Sequence, residues 1–119
     1  MNKSVQIYHN PRCSKSRQTL AILEENGIEP EIILYLEHTP DAKTIQGILE
    51  KLGISARDLL RKGEDAYKEF GLSDPSLSND FLIEKMIANP KLIERPIVIK
   101  GSKAVLGRPP ENVIDLIKA

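Results

Sequence analysis

Val5-Gln6-Ile7-Tyr8-His9-Asn10-Pro11-Arg12-Cys13-Ser14-Lys15-Ser16-Arg17 is the stretch whose reading decides the fold. Its first four residues alternate with period two, as a strand does. His9 to Arg12 interrupt the alternation, and a helix is expected from about Cys13 to Asn26. Leu20 and Leu23 are among its inward residues, and Gly27 is its stop signal. Glu31-Ile32-Ile33-Leu34-Tyr35-Leu36 follows, apolar at nearly every position, and reads as a second strand buried on both faces. Strand, helix and strand in this order form a βαβ unit, with parallel strands and a right-handed crossover.

Beyond this unit the sequence turns helical. Thr39 reads as an N-cap with Pro40 at the first helical position, and Ile45, Ile48, Leu49 and Leu52 then share one face up to Gly53. Ser55-Ala56-Arg57-Asp58 has the capping-box pattern and opens a short helix through Leu59 and Leu60. Further helical pieces are expected from about Asp65 to Phe70, closed by Gly71, and from an N-cap at Ser78 to Asn89, closed by Pro90. The tail returns to period two: Ile97-Val98-Ile99, a Gly101-Ser102 turn, then Ala104-Val105-Leu106. Pro109-Pro110 opens a last helix that carries Val113, Leu116 and Ile117 on one face. The reading is an α/β chain with a four-stranded mixed sheet, parallel in its first pair and antiparallel in its final hairpin. No repeat or flexible linker divides the chain, so one domain over residues 1–119 is expected, with a helical insertion at about 39–92.

Charge and composition narrow the function classes. Seventeen Lys and Arg balance seventeen Asp and Glu, which argues against bulk electrostatic binding to nucleic acid or to an anionic membrane. Residues 1–30 and 91–119 together hold ten basic and six acidic side chains, against seven and eleven in 31–90, so the spare positive charge sits at the two ends. No secretory leader pattern opens the sequence, and no apolar run approaches the roughly 20 residues that span a bilayer. A single cysteine excludes an internal disulfide, and an exposed thiol survives best in a reducing compartment. A cytoplasmic monomer is the expectation.

That cysteine, Cys13, stands after a strand and at the start of a helix, where free backbone N–H groups and the helix dipole favour negative charge. His9, Arg12 and Arg17 add positive or potentially positive groups nearby. Both effects lower a thiol pKa, and the thiolate is the nucleophile. A lone cysteine is more commonly a small buried hydrophobe, but flanks of Pro11, Arg12, Ser14 and Lys15 argue against burial. Cys13-Ser14-Lys15-Ser16 has C-x-x-C spacing with serine in the second place. Ser16 therefore reads either as a hydroxyl donor to the thiolate or a bound oxyanion, or as a helix cap, a role Ser14 could also fill. His9 reads either as a cationic partner of Cys13 or as a polar strand end. His38 lies in a turn and reads as a surface residue. One cysteine and two histidines supply no cluster of metal-ligand spacing, so no metal is expected.

His9-Asn10-Pro11-x-Cys13-Ser14-x-Ser16-Arg17-x-x-Leu20 resembles the active-site signature of the glutaredoxin-coupled arsenate reductase family. The likeness continues through Leu59-Leu60-Arg61-Lys62, Ile93-x-Arg95-Pro96-Ile97-Val98 and Gly107-Arg108-Pro109, in order along essentially the whole chain. It implies a thioredoxin-like fold of the glutaredoxin type, with helices inserted between the βαβ and ββα halves. It also implies that Cys13 attacks arsenate while Arg61, Arg95 and Arg108 hold the oxyanion, with His9, Ser16 and Arg17 in support. Glutathione would be the co-substrate and glutaredoxin the resolving partner, with no bound cofactor. Arginine suits such a role because its guanidinium fork meets tetrahedral oxyanions in a bidentate way that lysine does not copy. The resemblance further implies that Pro96 is the cis-proline of thioredoxin-type folds. Two rival readings share the fold: a glutathione-dependent thiol/disulfide reductase, which would not need the arginine set, and a non-catalytic Spx-type regulator that binds RNA polymerase. Regulators of that type with a redox switch usually carry C-x-x-C, which is missing here.

Overall fold

The computed structural model describes residues 5–118. In chain order its elements are β1 (Val5–Tyr8), α1 (Ser14–Glu25), β2 (Glu31–Ile33), α2 (Ala42–Leu52), α3 (Ala56–Leu59), α4 (Asp65–Glu69), α5 (Asn79–Ala88), β3 (Ile97–Lys100), β4 (Lys103–Leu106) and α6 (Asn112–Lys118). A 3-10 turn at Pro90–Leu92 follows α5. The chain divides into two compact units: one holds the described residues up to His38 and from Arg95 onward, the other Thr39–Glu94.

The first unit is the sheet with α1 and α6. Strand order is β2-β1-β3-β4. β1 pairs with β2 in parallel, Ile7 opposite Ile32, and with β3 antiparallel, Ile7 opposite Val98. β3 turns into β4 through Gly101 and Ser102, with Ile97 opposite Leu106. This is the mixed, thioredoxin-like sheet expected from the sequence. Its core is Val5, Ile7, Leu23, Val98, Val113 and Leu116, flanked by Leu20, Ile22, Ile28, Val105 and Ile117. Burying one such side chain favours folding by about 1.5–3 kcal/mol, so this small cluster is what holds α1 and α6 to the strands.

Two boundaries in this unit depart from the sequence reading. The second strand is not a doubly buried run over residues 31–36. It spans Glu31–Ile33 at the sheet edge, with Ile32 46% exposed. An edge strand has one neighbour, and the chain leaves it at once: Glu37 and His38 N–H both donate to the Leu34 carbonyl at 2.9 Å, closing a turn in which Tyr35 is buried. The last helix begins at Asn112, after a turn at Pro109–Glu111 in which the Pro109 carbonyl accepts from Asn112 N–H at 3.0 Å.

The second unit is helical. α2 starts three residues beyond Thr39, because the Asp41 carboxylate accepts from Thr44 N–H at 2.8 Å and is the true N-cap. Gly53 ends α2 with φ 70°, a left-handed backbone that glycine adopts without penalty. The Asp58 carboxylate accepts from Ser55 N–H and hydroxyl at 3.3 and 3.1 Å, and Ser78 Oγ accepts from Phe81 N–H at 3.1 Å at the start of α5. α2 and α3 pack on α5, burying Ile45, Ile48, Leu59, Leu82, Ile83 and Met86. An isolated antiparallel bridge joins Leu60 to Ile93, with Arg61 N–H donating to the Leu92 carbonyl and Glu94 N–H to that of Leu59, each at 2.8 Å.

Candidate active site

Cys13 is the N-cap residue of α1, with extended backbone at φ −94° and ψ 122°. The loop before it is tied down at every step. His9 N–H donates to the Ile33 carbonyl at 2.9 Å, continuing the β1–β2 pairing, and Cys13 N–H donates to the Asn10 carbonyl at 3.0 Å. Asn10 Oδ1 accepts from Arg12 N–H at 3.0 Å. From the helix side, Arg17 Nη1 donates to the Pro11 carbonyl at 2.8 Å. Ser16 is fully buried, its Oγ 2.6 Å from His9 Nδ1 and accepting from Asn10 N–H at 3.1 Å. Ser16 and Arg17 thus fasten residues 9–11 to the first turn of α1 and leave Cys13 half-buried at its tip.

Strand register brings the arginines to this end of the sheet. Tyr8 lies opposite Ile97, so Pro96 and Arg95 continue beside the residues that follow β1. Ile97 lies opposite Leu106, so Gly107 and Arg108 continue beside Pro96 and Arg95. Gly107 N–H donates to the Pro96 carbonyl at 2.9 Å, and Arg108 Nη1 donates to the Arg95 carbonyl at 3.2 Å. The Arg95–Pro96 bond is cis, as the sequence resemblance implied, and so is Arg108–Pro109, which it did not.

The thiol of Cys13 is shifted below its ordinary value. Partial burial alone would raise it, but the Ser16 N–H, the Arg95 guanidinium by hydrogen bond and by charge, and the Lys15 N–H together outweigh that cost. The helix terminus therefore acts as expected, while the cation is Arg95, distant in sequence, rather than His9, Arg12 or Arg17. His9 does not act as a charged partner. Burial, and then the charge of Arg17, hold its pKa below the ordinary 6.5, so the ring is neutral near pH 7 and serves as a hydrogen-bond partner of Ser16. Ser16 is no helix cap either, since its hydroxyl is engaged with His9 and Asn10 while its backbone N–H serves the thiol.

Cys13, Arg95 and Arg108 thus belong to the first unit, with His9, Ser16 and Arg17. Arg61 belongs to the second, where Glu94 Oε1 lies 3.1 Å from its Nη1 and Glu64 Oε2 lies 3.5 Å from its Nε. Among the described residues, no group of three or more His, Cys, Asp or Glu side chains could hold a metal ion, and no helix is long and apolar enough to cross a membrane. The sequence reading missed Thr19, a fully buried polar residue of α1 whose Oγ1 donates to the Lys15 carbonyl at 2.8 Å. Its only signal was a polar residue on the inward side of an amphipathic helix. What remains is a half-buried, acidified thiol with a guanidinium and helix N–H groups around it, which is the equipment of a nucleophile that meets an anion.

Comparison with known proteins gives the family. An uncharacterised protein of Escherichia coli strain K12, YfgD, is 58% identical, the alignment covering 98% of this chain and 99% of that one. An arsenate reductase of Neisseria meningitidis is 49% identical over 92% of this chain and 94% of its own. The solved structure of an arsenate reductase from Vibrio cholerae superposes with a TM-score of 0.93 at 48% identity, covering 97% of this chain and 98% of its own. Residues 8–116 match the ArsC family, which takes in all four motifs and both units, and the chain belongs to that family.

Proposed function

We propose that this chain is an arsenate reductase in which the Cys13 thiolate is the nucleophile and glutathione and glutaredoxin supply the electrons. The observation that carries the reading is the Arg95 guanidinium at a half-buried, acidified Cys13, in a chain whose relatives of 41–49% identity are named arsenate reductases. Arsenate is a multiply charged tetrahedral anion. A site that stabilises a thiolate also suits the oxygens around arsenic, and arginines are the side chains best shaped to hold them.

The reaction runs in three stages. The Cys13 thiolate forms a sulfur–arsenic bond and displaces one oxygen ligand of arsenate, which leaves as water after taking up protons. Glutathione attacks arsenic in the adduct, forming a second sulfur–arsenic bond and displacing another oxygen ligand as water, and so contributes the thiol that serine at position 16 does not. Glutaredoxin then takes the glutathione sulfur as a mixed disulfide, the electron pair stays on arsenic, and one water hydrolyses the remaining sulfur–arsenic bond, so that arsenite leaves and the Cys13 thiol is regenerated. In sum arsenate and two thiols give arsenite, one disulfide and water. Arg95 and Arg108 offset charge on the oxygens, Arg61 is assigned the same task, and His9, Ser16 and Arg17 fix the loop. The reading places the enzyme in the cytoplasm, where the thiol pool is reducing.

Arsenite formation by the purified protein with glutathione and glutaredoxin tests this directly. Turnover should need both and vanish in Cys13→Ser. A protein that reduces a small disulfide but leaves arsenate untouched would be a thiol reductase instead.

A further inference from the structure

Thr19, Pro96 and Gly107 meet at one point of the first unit, and all three are buried. A Cβ placed on Gly107 would stand 2.5 Å from Thr19 Oγ1, 2.7 Å from Pro96 Cγ and 3.1 Å from Thr19 Cγ2. None of these atoms ends a flexible side chain. Thr19 is β-branched and anchored to the Lys15 carbonyl, and Pro96 is a closed ring. Gly107 is not among the glycines with positive φ, so it is space and not backbone conformation that demands glycine. The two residues that flank this contact are Arg95, immediately before Pro96, and Arg108, immediately after Gly107. They are joined to each other through Gly107 N–H to Pro96 O and Arg108 Nη1 to Arg95 O. Thr19 lies less than two helical turns from Cys13 on the same helix.

We infer that Gly107 is a positioning residue of the anion site: its missing side chain lets the ends of β3 and β4 close against Thr19, and this close approach sets where Arg95 and Arg108 stand relative to Cys13. The inference deepens the proposed activity, and it rests on that activity for the identity of the anion and not for the geometry. A methyl group at 107 must be relieved by about 1 Å of movement to restore an ordinary carbon contact. Pro96 carries Arg95 with it, and misplacement by about 1 Å is enough to cost about 100-fold in rate when groups must meet a reacting centre.

The test is alkylation of Cys13 by a neutral reagent against pH, with and without sulfate, alongside arsenate turnover. In Gly107→Ala the inflection should rise toward that of an ordinary thiol, sulfate should protect Cys13 less, and arsenate KM should rise. In an Arg95→Ala background the same substitution should raise the inflection no further, because the effect acts through Arg95. Thr19→Ala combined with Gly107→Ala removes two of the three close contacts and should recover part of the loss. If Gly107→Ala alone does not fold, the double variant is compared with Thr19→Ala, and the remaining contact with Pro96 should still raise the inflection. A wild-type inflection and wild-type sulfate protection in Gly107→Ala, an equal rise in the Arg95→Ala background, or identical inflections in that last pair would overturn the inference. Failure of the wild-type protein to reduce arsenate would instead sink the proposed activity, while the alkylation results would still decide the role of Gly107.

Discussion

Replacing Arg95 by alanine removes the cation that acts on the Cys13 thiol and leaves the N–H groups of Ser16 and Lys15 in place. A hydrogen bond to a charged group contributes about 1.5–3 kcal/mol. Cys13 is half-buried, so solvent screens part of this and the lower end applies. About 1.5 kcal/mol corresponds to roughly a tenfold smaller thiolate fraction on the acid side of the titration. The helix terminus should retain about 0.3–1 kcal/mol of anion stabilisation, so the inflection should not return all the way to that of a free thiol. Arg95→Lys keeps the charge without the planar fork and should fall between the two. The assay is the rate of alkylation by iodoacetamide, a neutral reagent whose own encounter with the site is insensitive to the lost charge. A thermal melt confirms that each variant is folded. If the rate–pH profile of Arg95→Ala superimposes on that of the wild type, the guanidinium does not activate the thiol and the site assignment loses its main electrostatic support.

Cys13→Ser should abolish arsenate reduction with the melting temperature nearly unchanged, and residual turnover well above background would place the chemistry elsewhere. His9 has a folded-state pKa below its ordinary 6.5, because burial and Arg17 favour the neutral ring. The unfolded chain therefore binds the proton more readily, and stability that is complete above about pH 6.5 is lost as the pH falls through the folded-state value. His9→Gln should flatten that part of the profile of urea midpoint against pH, and an unchanged slope would count against a buried neutral His9. Ser16→Ala leaves the Asn10 N–H without its acceptor and His9 without its partner, at a cost of about 1–3 kcal/mol in stability that chemical denaturation reads. In the second unit Arg57 donates to the Leu72 and Asp74 carbonyls, both at 2.7 Å, so Arg57→Ala should cost about 1–3 kcal/mol and speed amide exchange in the loop after α4, and unaltered exchange there would contradict this.

Periodicity, with cap and stop signals, located each strand and α-helix among the described residues and missed the 3-10 turn after α5, which is too short to carry a period. Boundaries failed where apolar composition or a helix-start signal was available to more than one structure. Ile32 to Leu36 is apolar throughout, and such a run does not say whether it continues a strand or folds into a turn that buries a single Tyr35. The difference is decided by β1, which offers pairing to Glu31, Ile32 and Ile33 and then gives way to the loop of Cys13. Thr39-Pro40 and Asp41 are competing starts for α2, and the carboxylate won because it reaches Thr44 N–H. Strand order in the sheet is likewise a property of long-range pairing: the sequence reading reached the parallel first pair and the antiparallel final hairpin, and the pairing of β1 with β3 that joins them came from the structure.

The candidate site divides along the same line. What depends on chain neighbours was readable: a thiol at a helix N-terminus, with polar flanks that keep it from burial. What depends on register was legible only through the resemblance, which named Arg95 and Arg108. Charges close in sequence looked like the natural partners of Cys13, yet Arg17 turns to the Pro11 carbonyl and His9 is buried and neutral. Arg95 reaches the thiol because Tyr8 pairs with Ile97, which carries the chain before β3 past the end of β1. The same register carries Arg108 past the end of β4 to the Arg95 carbonyl. Three strand ends and one helix N-terminus thus supply the cation, the second arginine, the loop and the nucleophile. Ser16 shows why the local signal misled. Its C-x-x-C spacing pointed to a role beside sulfur, and its backbone N–H does face the thiol, but its hydroxyl is spent on holding His9 and Asn10 in place. A serine there keeps the loop rigid with no second thiol at hand, so the proposed activity draws its resolving thiol from another molecule.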